Sequence, residues 1–434
     1  MKAPQFLPDH LARRLACLPE GVLDTTRDLS VKLAGVSRRD FLRISARYGT
    51  AATLAAASSM GGVFSAEALA QAADSASEKR LSKPAKHVLK FGATVYTPEN
   101  TRIQRAGVWE FCRDVEEKTD GEIRFEIFPA GSVCAEPVCM QKVQQGVIDV
   151  AASSTANAAS NAPWLNALDF PYMFKSRGQL YHFFFDPKSE PLFRSVLRKR
   201  HKVELLWTMC EMRNMFMGAR WRDKPPITSV TQIAGTKNRV TNTQIGRIAM
   251  QLMNLNPVPV AFTETLDAMK SGLIDGMETW TTAVTAFNMT PVVSQYVGME
   301  FFPGVEGIYM RSESLDKLGD ALGDAILEGA FQAQRATMYS NEAGLAWVSG
   351  EMPVPPPGTF FEKEKVVMNF FTPEAKKEAA EMCSPRKPEY QSWHDRLNGW
   401  AGFDVYEKLS EAAADYPADK LAIDVEPRRW WKSA

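Results

Sequence analysis

Residues 226–279 read PITSVTQIAGTKNRVTNTQIGRIAMQLMNLNPVPVAFTETLDAMKSGLIDGMET. Within this stretch Ala234–Asn242, AGTKNRVTN, is a short extended run behind a glycine and ahead of polar turn residues, and it carries one arginine, Arg239. Ile245, Ile248, Ala249, Leu252 and Met253 then recur at helical spacing. Thr263 is placed to cap a further helix bearing Leu266 and Met269. Gly272, with no side chain to obstruct a left-handed turn, suits the end of that helix, and Gly272-Leu-Ile-Asp275 leads into the next extended run. Strands alternating with helices over so short a distance predict an α/β fold.

The same grammar occurs upstream. Leu89, Phe91 and Ala93 alternate as on a strand, and Val108, Phe111, Cys112 and Val115 follow at i, i+3, i+4, i+7. Ile123, Phe125 and Ile127 alternate with Glu122, Arg124 and Glu126 up to Pro129, completing a β-α-β unit. A helix is expected from about Glu136 to Gln145, ended by Gly146, and Gly146-Val-Ile-Asp149 echoes Gly272-Leu-Ile-Asp275. The echo predicts two α/β lobes of like construction, each with a helix–glycine–strand crossover. Helix-favouring residues then run from Ser314 to about Trp347, a length that can bridge both lobes, and Pro353, Pro355, Pro356 and Pro357 stop them. From Thr372 helical stretches alternate with proline-marked turns as far as Arg428-Arg429-Trp430-Trp431.

Arg239 stands just ahead of a helix, where a guanidinium and backbone N–H groups together suit a carboxylate or phosphate. A solvated charge on an edge strand is the competing reading. Composition does not decide between them. The 434 residues are 45% hydrophobic and 24% charged, enough to bury substantial cores, and Lys+Arg and Asp+Glu number 51 each. No global field favours nucleic acid, so selectivity for a charged ligand must come from local placement.

The N-terminal part carries an address. Ser37-Arg38-Arg39-Asp40-Phe41-Leu42-Arg43 precedes an Ala-rich apolar run from Ile44 to about Ala70, broken by Arg47, Gly61, Gly62 and Glu67. The pattern resembles a twin-arginine (Tat) signal, with Ala68-Leu69-Ala70 as the small-x-small cleavage point and a mature chain beginning near Gln71. Export implies a periplasmic protein and the Tat machinery as a transient partner. Residues 71–86, QAADSASEKRLSKPAK, read as a flexible leader. Cys112, Cys134, Cys139, Cys210 and Cys383 remain, an odd number for an oxidising compartment. Cys134 and Cys139 are near enough to close a small disulfide loop, and buried thiols are expected of the others.

Catalytic chemistry is hard to find. The five histidines form no metal-binding motif, and P-loop, dinucleotide and Gly-x-Ser-x-Gly fingerprints are absent. Asp275 and Glu278 are a carboxylate pair of common spacing. No enzyme is expected, although a periplasmic enzyme using Glu278, Asp275 or a cysteine on a small carboxylate stays open, as does a sensory ligand-presenting protein.

Residues 226–279 resemble the second-lobe core of TRAP-transporter solute receptors of the DctP family (solute-binding protein family 7). EEKTDGEIRFEIFPAGSV, QQGVIDVAASS and LDFPYMF are similar to that family's first-lobe strand, crossover and FPYLF segments, so the resemblance spans roughly residues 88–345. It implies a type II periplasmic binding fold, two α/β lobes around a ligand cleft joined by hinge strands and a long helix. The implied division is a signal over 1–70, a leader over 71–86, lobe I over 87–212, lobe II over 213–299, a return with the bridging helix over 300–345, and a C-terminal helical part over 346–434 packing on lobe II. The implied function is to capture an organic acid and deliver it to small DctQ-like and large DctM-like membrane subunits.

The family's carboxylate-binding arginine, in a segment like DLKGLKIRVP, falls on Arg239. A second ligand-facing arginine, in Gly-x-Arg, falls on Arg213, with Glu211 in place of the glycine. Where the family often reads VDGQEN, this chain has IDGMETW, which puts Thr279 and Trp280 in the contact segment. Tyr96, Asn157, Phe170 and Tyr172 lie in segments that resemble cleft edges. Glu278 beside Trp280 is similar to the Glu-Trp pair of members that bind 2-oxo acids with a metal ion. The resemblance thus implies no cofactor, with a metal ion bridging the carboxylate as a lesser option.

Overall fold

The computed structural model of the chain describes residues 84–94, 107–241 and 243–432, together with Val36, Ser65 and residues 67–72. The twin-arginine segment 37–43 and Tyr96 lie outside the described residues, and residues 67–72, which contain the expected cleavage point, are helical. No helix of the described residues is long and apolar enough to cross a membrane. The chain divides into two compact units, Met1–His87 with Arg113–Arg124 and Val88–Cys112 with Phe125–Ala434. In the first, the N–H groups of Lys86 and His87 donate to Glu122 O, both at 3.0 Å, and the Lys86 ammonium pairs with the Glu122 carboxylate.

The second unit carries a nine-stranded sheet, of whose residues only His87, Ile123 and Arg124 fall in the first unit. Its strands are β1 (His87–Ala93), β2 (Ile123–Pro129), β3 (Val150–Ser154), β4 (Val203–Gly218), β5 (Lys237–Val240), β6 (Asn256–Pro259), β7 (Gly276–Thr279), β8 (Val293–Arg311) and β9 (Val367–Phe370). The order is β2-β1-β3-β8-β4-β7-β5-β6, with β9 on β8. β1 and β3 run parallel, as do β5, β6 and β7, while β4 and β8 pair antiparallel with each other. These two long strands join the parallel groups: β8 pairs β3 through residues 306–310, and β4 pairs β7 through residues 214–217.

Helices lie between the strands in chain order: α1 (Gly107–Lys118), α2 (Glu136–Gln144), α3 (Arg177–Phe185), α4 (Gln244–Leu252), α5 (Thr265–Ser271), α6 (Thr281–Ala286) and α7 (Ser312–Gly344). The stripe Val108, Phe111, Cys112 and Val115 is buried on α1, and Thr243 caps α4 by accepting the Gly246 N–H. Thr263 does not cap α5. It lies in a 3-10 turn, Phe262–Glu264, that precedes the helix, and no side chain caps the helix start. α7 is interrupted at Gly319, whose φ of 73° and ψ of 175° are not helical. It runs on through a π-helical turn, Leu345–Ser349, to the left-handed Gly350, ahead of the prolines expected to stop it.

The sequence echo has an atomic counterpart. Gly146 and Gly272 both end their helices at φ 73°. Asp149 N–H donates to Lys90 O and the Asp149 carboxylate accepts the Lys90 N–H; Asp275 makes the same two bonds with Lys237. Each aspartate thereby pins the crossover to the neighbouring parallel strand. A guanidinium also stands where each glycine's Cβ would be, Arg311 over Gly146 and Arg220 over Gly272.

Residues 346–434 do not pack only on the 213–299 segment. β9 pairs β8 at residues 295–298, but helix α8 (Val405–Ala414) and its following turn dock on α3, where Gln179 Nε2 donates to Tyr416 O at 2.9 Å. At the start of α3, Arg177 forks onto Glu342 of α7 (2.7 and 3.2 Å) and reaches Glu351 at 3.0 Å. Burial pushes the Glu351 carboxyl up to about 7 against the pull of Arg177.

Two outcomes follow from these contacts. Asp149→Ala and Asp275→Ala each remove the acceptor of a strand N–H and are expected to lower stability by about 1–2 kcal/mol, read by urea denaturation; no change at either site would mean the echo is not structural. Between pH about 4.5 and about 7 the folded state holds the Glu351 proton that the unfolded chain releases, so this residue's contribution falls as pH rises. The melting temperature of wild type should therefore drop relative to Glu351→Gln across that window, and a constant difference would refute it.

Candidate functional site

The C-terminal ends of β3 and β7 and the middle of β4 and β8 meet at a cavity, as expected where parallel strands of an open α/β sheet end. Arg239 and Thr241 enter it from β5, Arg213 from β4, Thr279 and Trp280 from the end of β7, and Ser154, Thr155 and Asn157 from the end of β3. Phe262, Ala283 and Phe287 add an apolar side, and Glu136 and Glu306 also line it.

Arg213 is 3% exposed and fully engaged. Its Nη2 donates to Asp169 Oδ1 at 2.8 Å, its Nη1 lies 2.9 Å from Glu278 Oε1, and its Nε donates to Pro303 O at 3.1 Å. The guanidinium also sits over the Phe302 ring. β4 shifts register against β8 between Arg213 and Met215, and such irregularities re-aim side chains. Burial raises the pKa of Asp169 against the opposing pull of Arg213.

Arg239 is 4% exposed and differently held. Nε donates to Val260 O at 3.2 Å, and Nη1 to Thr241 Oγ1 at 3.0 Å and Glu278 O at 3.1 Å. No carboxylate lies within ion-pair distance among the described residues, and Nη2 has no protein acceptor among them. Burial accordingly lowers the pKa of Arg239, with the Glu278 charge opposing. Another buried guanidinium shows what a purely structural arginine looks like here: all three nitrogens of Arg194 donate, to Ser189 Oγ, Leu205 O and Phe184 O, beneath the Trp430 ring. Arg239 has the same carbonyl-type support but keeps one nitrogen for something else.

Glu278 links the two arginines. Its side chain meets Arg213 and accepts from Thr241 N and Oγ1 at 3.3 and 3.4 Å, while its carbonyl accepts from Arg239. Trp280 packs with Met209, Ala283 and Phe262, and Gly304 leaves room for it, since a Cβ there would stand 2.7 Å from the indole Nε1. Glu211, standing where the related pattern has glycine, accepts the Thr282 N–H and hydroxyl and so holds the start of α6.

Arg239, Arg213, Thr279, Trp280 and Asn157 thus come together, with Glu278 directly behind them. Phe170 and Tyr172 do not line the cavity. The Phe170 ring stacks on His394 at 4.8 Å and meets Tyr390 and Tyr406 from the C-terminal region, and Tyr172 is held in a left-handed turn (φ 56°) by its N–H on Phe301 O. Sequence reasoning did not single out Glu136, Ser154, Thr241, Phe262 or Glu306. Thr241 could have been found from its place two residues beyond Arg239; the others have no local signature. Among the described residues no three His, Cys, Asp or Glu side chains are grouped to hold a metal ion.

Known proteins resemble this chain at the level of family and fold. The sequence profile of the family described as "Bacterial extracellular solute-binding protein, family 7" (DctP) matches residues 93–346. The uncharacterized protein YiiZ of Salmonella typhimurium is 25% identical over 199 residues, 46% of this chain and 59% of that protein. The 2,3-diketo-L-gulonate-binding periplasmic protein YiaO of Escherichia coli is 25% identical over 194 residues, 44% of this chain and 55% of its own. The chain therefore spans little more than half the length of either relative. The crystal structure of a TRAP periplasmic solute-binding protein from Polaromonas bound to D-erythronate superposes with a TM-score of 0.62 at 20% identity, covering 76% of this chain and 98% of that one. At that identity the likeness bears on the fold, which is that of the type II periplasmic binding proteins. With more than half of its residues matched by the family profile, the chain belongs to the bacterial extracellular solute-binding proteins of family 7, the DctP family.

Proposed function

We propose that this protein is an extracytoplasmic receptor that captures an organic acid on Arg239 and delivers it to a TRAP-type membrane transporter of small DctQ-like and large DctM-like subunits. One observation carries the reading: Arg239 is a buried guanidinium at a cavity, with no carboxylate partner and one nitrogen unbonded among the described residues. A buried charge without a partner is costly, and a ligand carboxylate supplies the missing one. Charge-assisted bonds of this kind contribute about 1.5–3 kcal/mol each, most where water is excluded. Phe262, Trp280 and Phe287 supply the apolar cover that excludes it.

Binding without turnover is the better-supported reading of the site. Glu278 is occupied by Arg213 and Thr241, and Asp275 by the Lys237 N–H. Cys112, Cys210 and Cys383 are buried, and burial pushes the Cys383 thiol up to about 12, leaving it protonated. The twin-arginine pattern supports export by the Tat route with cleavage near Ala70 and residence in the periplasm. No cofactor is part of the proposal; a metal ion bridging the ligand carboxylate is the lesser alternative, tested by adding calcium to the titrations.

Arg239→Lys keeps the charge and loses the planar fork, so the affinity for a bound acid should fall about 10- to 100-fold by calorimetry while the melting temperature of the free protein holds. Unchanged affinity would remove Arg239 from the site. Arg213→Met should act on the fold instead, destabilising by about 3–5 kcal/mol because Asp169 and Glu278 are left as buried, unpaired carboxylates. A stable Arg213→Met protein that has lost only ligand affinity would reverse the two roles.

A further inference from the structure

The receptor reading places a ligand's carboxylate on Arg239 and leaves the rest of the ligand open. What stands beside that anchor is aromatic. The Arg239 guanidinium carbon lies 5.6 Å from the centre of the Phe262 ring, and its Nε donates to Val260 O, two residues before that ring. One short segment, residues 260–262, therefore both orients the guanidinium and sets an aromatic ring next to it. The first carbons of an acid held there lie within reach of Phe262.

The aromatic surface continues away from Arg239. Phe262 and Phe287 have ring centres 5.0 Å apart and planes at 86°, so the apolar surface turns a corner instead of offering one flat platform. Trp280 and Ala283 pack with Phe262 in one cluster. Both phenylalanines are only partly buried where they pack on the core that contains Val284 and Met289, and both line the cavity, so each keeps surface for a ligand. Apart from the Trp280 indole N–H, these four side chains carry no hydrogen-bonding group.

We propose that the receptor selects acids with an apolar body, aromatic or aliphatic, over polyhydroxylated acids of the same skeleton, and that Phe262 and Phe287 are the residues that make the selection. The inference rests on the receptor reading, with Arg239 as the anchor of the carboxylate. Apolar carbon gains by leaving water for this corner, whereas a hydroxyl turned toward it gives up its water without finding a partner. An apolar pocket discriminates against one added hydroxyl by about 100-fold. A tenfold preference therefore needs only one hydroxyl of the competing acid to face the corner.

The test is calorimetry with acids matched in skeleton: cyclohexanecarboxylate against quinate, hexanoate against gluconate, and benzoate against gallate. In each pair that binds, wild type should hold the unhydroxylated member at least tenfold more tightly. Arg239→Lys should weaken both members alike, because the carboxylate is common to them. Phe262→Ala should instead shrink the preference several-fold, and Phe287→Ala repeats that test without touching the segment that holds Arg239, with melting temperatures recorded alongside. A hydroxylated acid bound as tightly as its partner overturns the selectivity. An equal loss for both members in the two phenylalanine variants makes the rings supports of the site and not its selectors. If hydroxylated acids bind through Arg239 and apolar ones do not, the receptor reading stands and this inference falls; if no acid of either kind binds, the receptor reading falls and takes this inference with it.

Discussion

The antiparallel pairing of β4 with β8 is the constraint on which the rest is built. All 16 residues of β4 are buried, so its polar members can exist only with partners supplied by the sheet and the helices around it. Glu204 receives Arg198, Thr208 faces Gln334, Glu211 holds Thr282, and Arg213 is matched by two carboxylates. Because the same two strands continue from the β1–β3 group to the β5–β7 group, both groups inherit their register from one ladder. The ladder is interrupted at Arg213, and the site sits at that interruption.

Two arginines a short distance apart in the fold serve different ends, and the difference lies in how their charge is compensated. Arg213 forms a closed set with Asp169 and Glu278, an arrangement that organises the cavity floor and is intolerant of losing a member. Arg239 is supported by a hydroxyl and two carbonyls, which orient a guanidinium without neutralising it. Glu278 makes the two arrangements interdependent, because its side chain serves one arginine and its carbonyl the other.

Much of this was readable from the amino-acid sequence wherever the cause is local. The burial stripe of α1, the strand alternation of β1, and the left-handed ends at Gly146 and Gly272 follow from periodicity and from what glycine alone tolerates. Arg239 stood out through its neighbours and through the family resemblance. What could not be read depends on distant partners. Phe170 sits in a segment that looks like a cleft edge, but its face is taken by His394, Tyr390 and Tyr406, more than two hundred residues later in the chain. Glu306 reaches the cavity because β8 pairs with the end of β3, and Glu136 because its side chain meets the Ser154 N–H there, and a lone glutamate before a proline or inside a long strand has no pattern of its own. The role of Arg213 was open for the same reason, since neither of its carboxylate partners is near it in sequence.

The paired glycines carry a consequence for how the chain tolerates change. Arg311 lies over Gly146 and Arg220 over Gly272, each in the space a side chain would need, beside the aspartate that ties its crossover to a neighbouring strand. The molecule thus holds two copies of one small device, one tied to Lys90 of β1 and the other to Lys237 of β5, so each copy serves as the other's internal reference. A change that loosens one device can be told from a change that loosens the fold as a whole by looking at its twin.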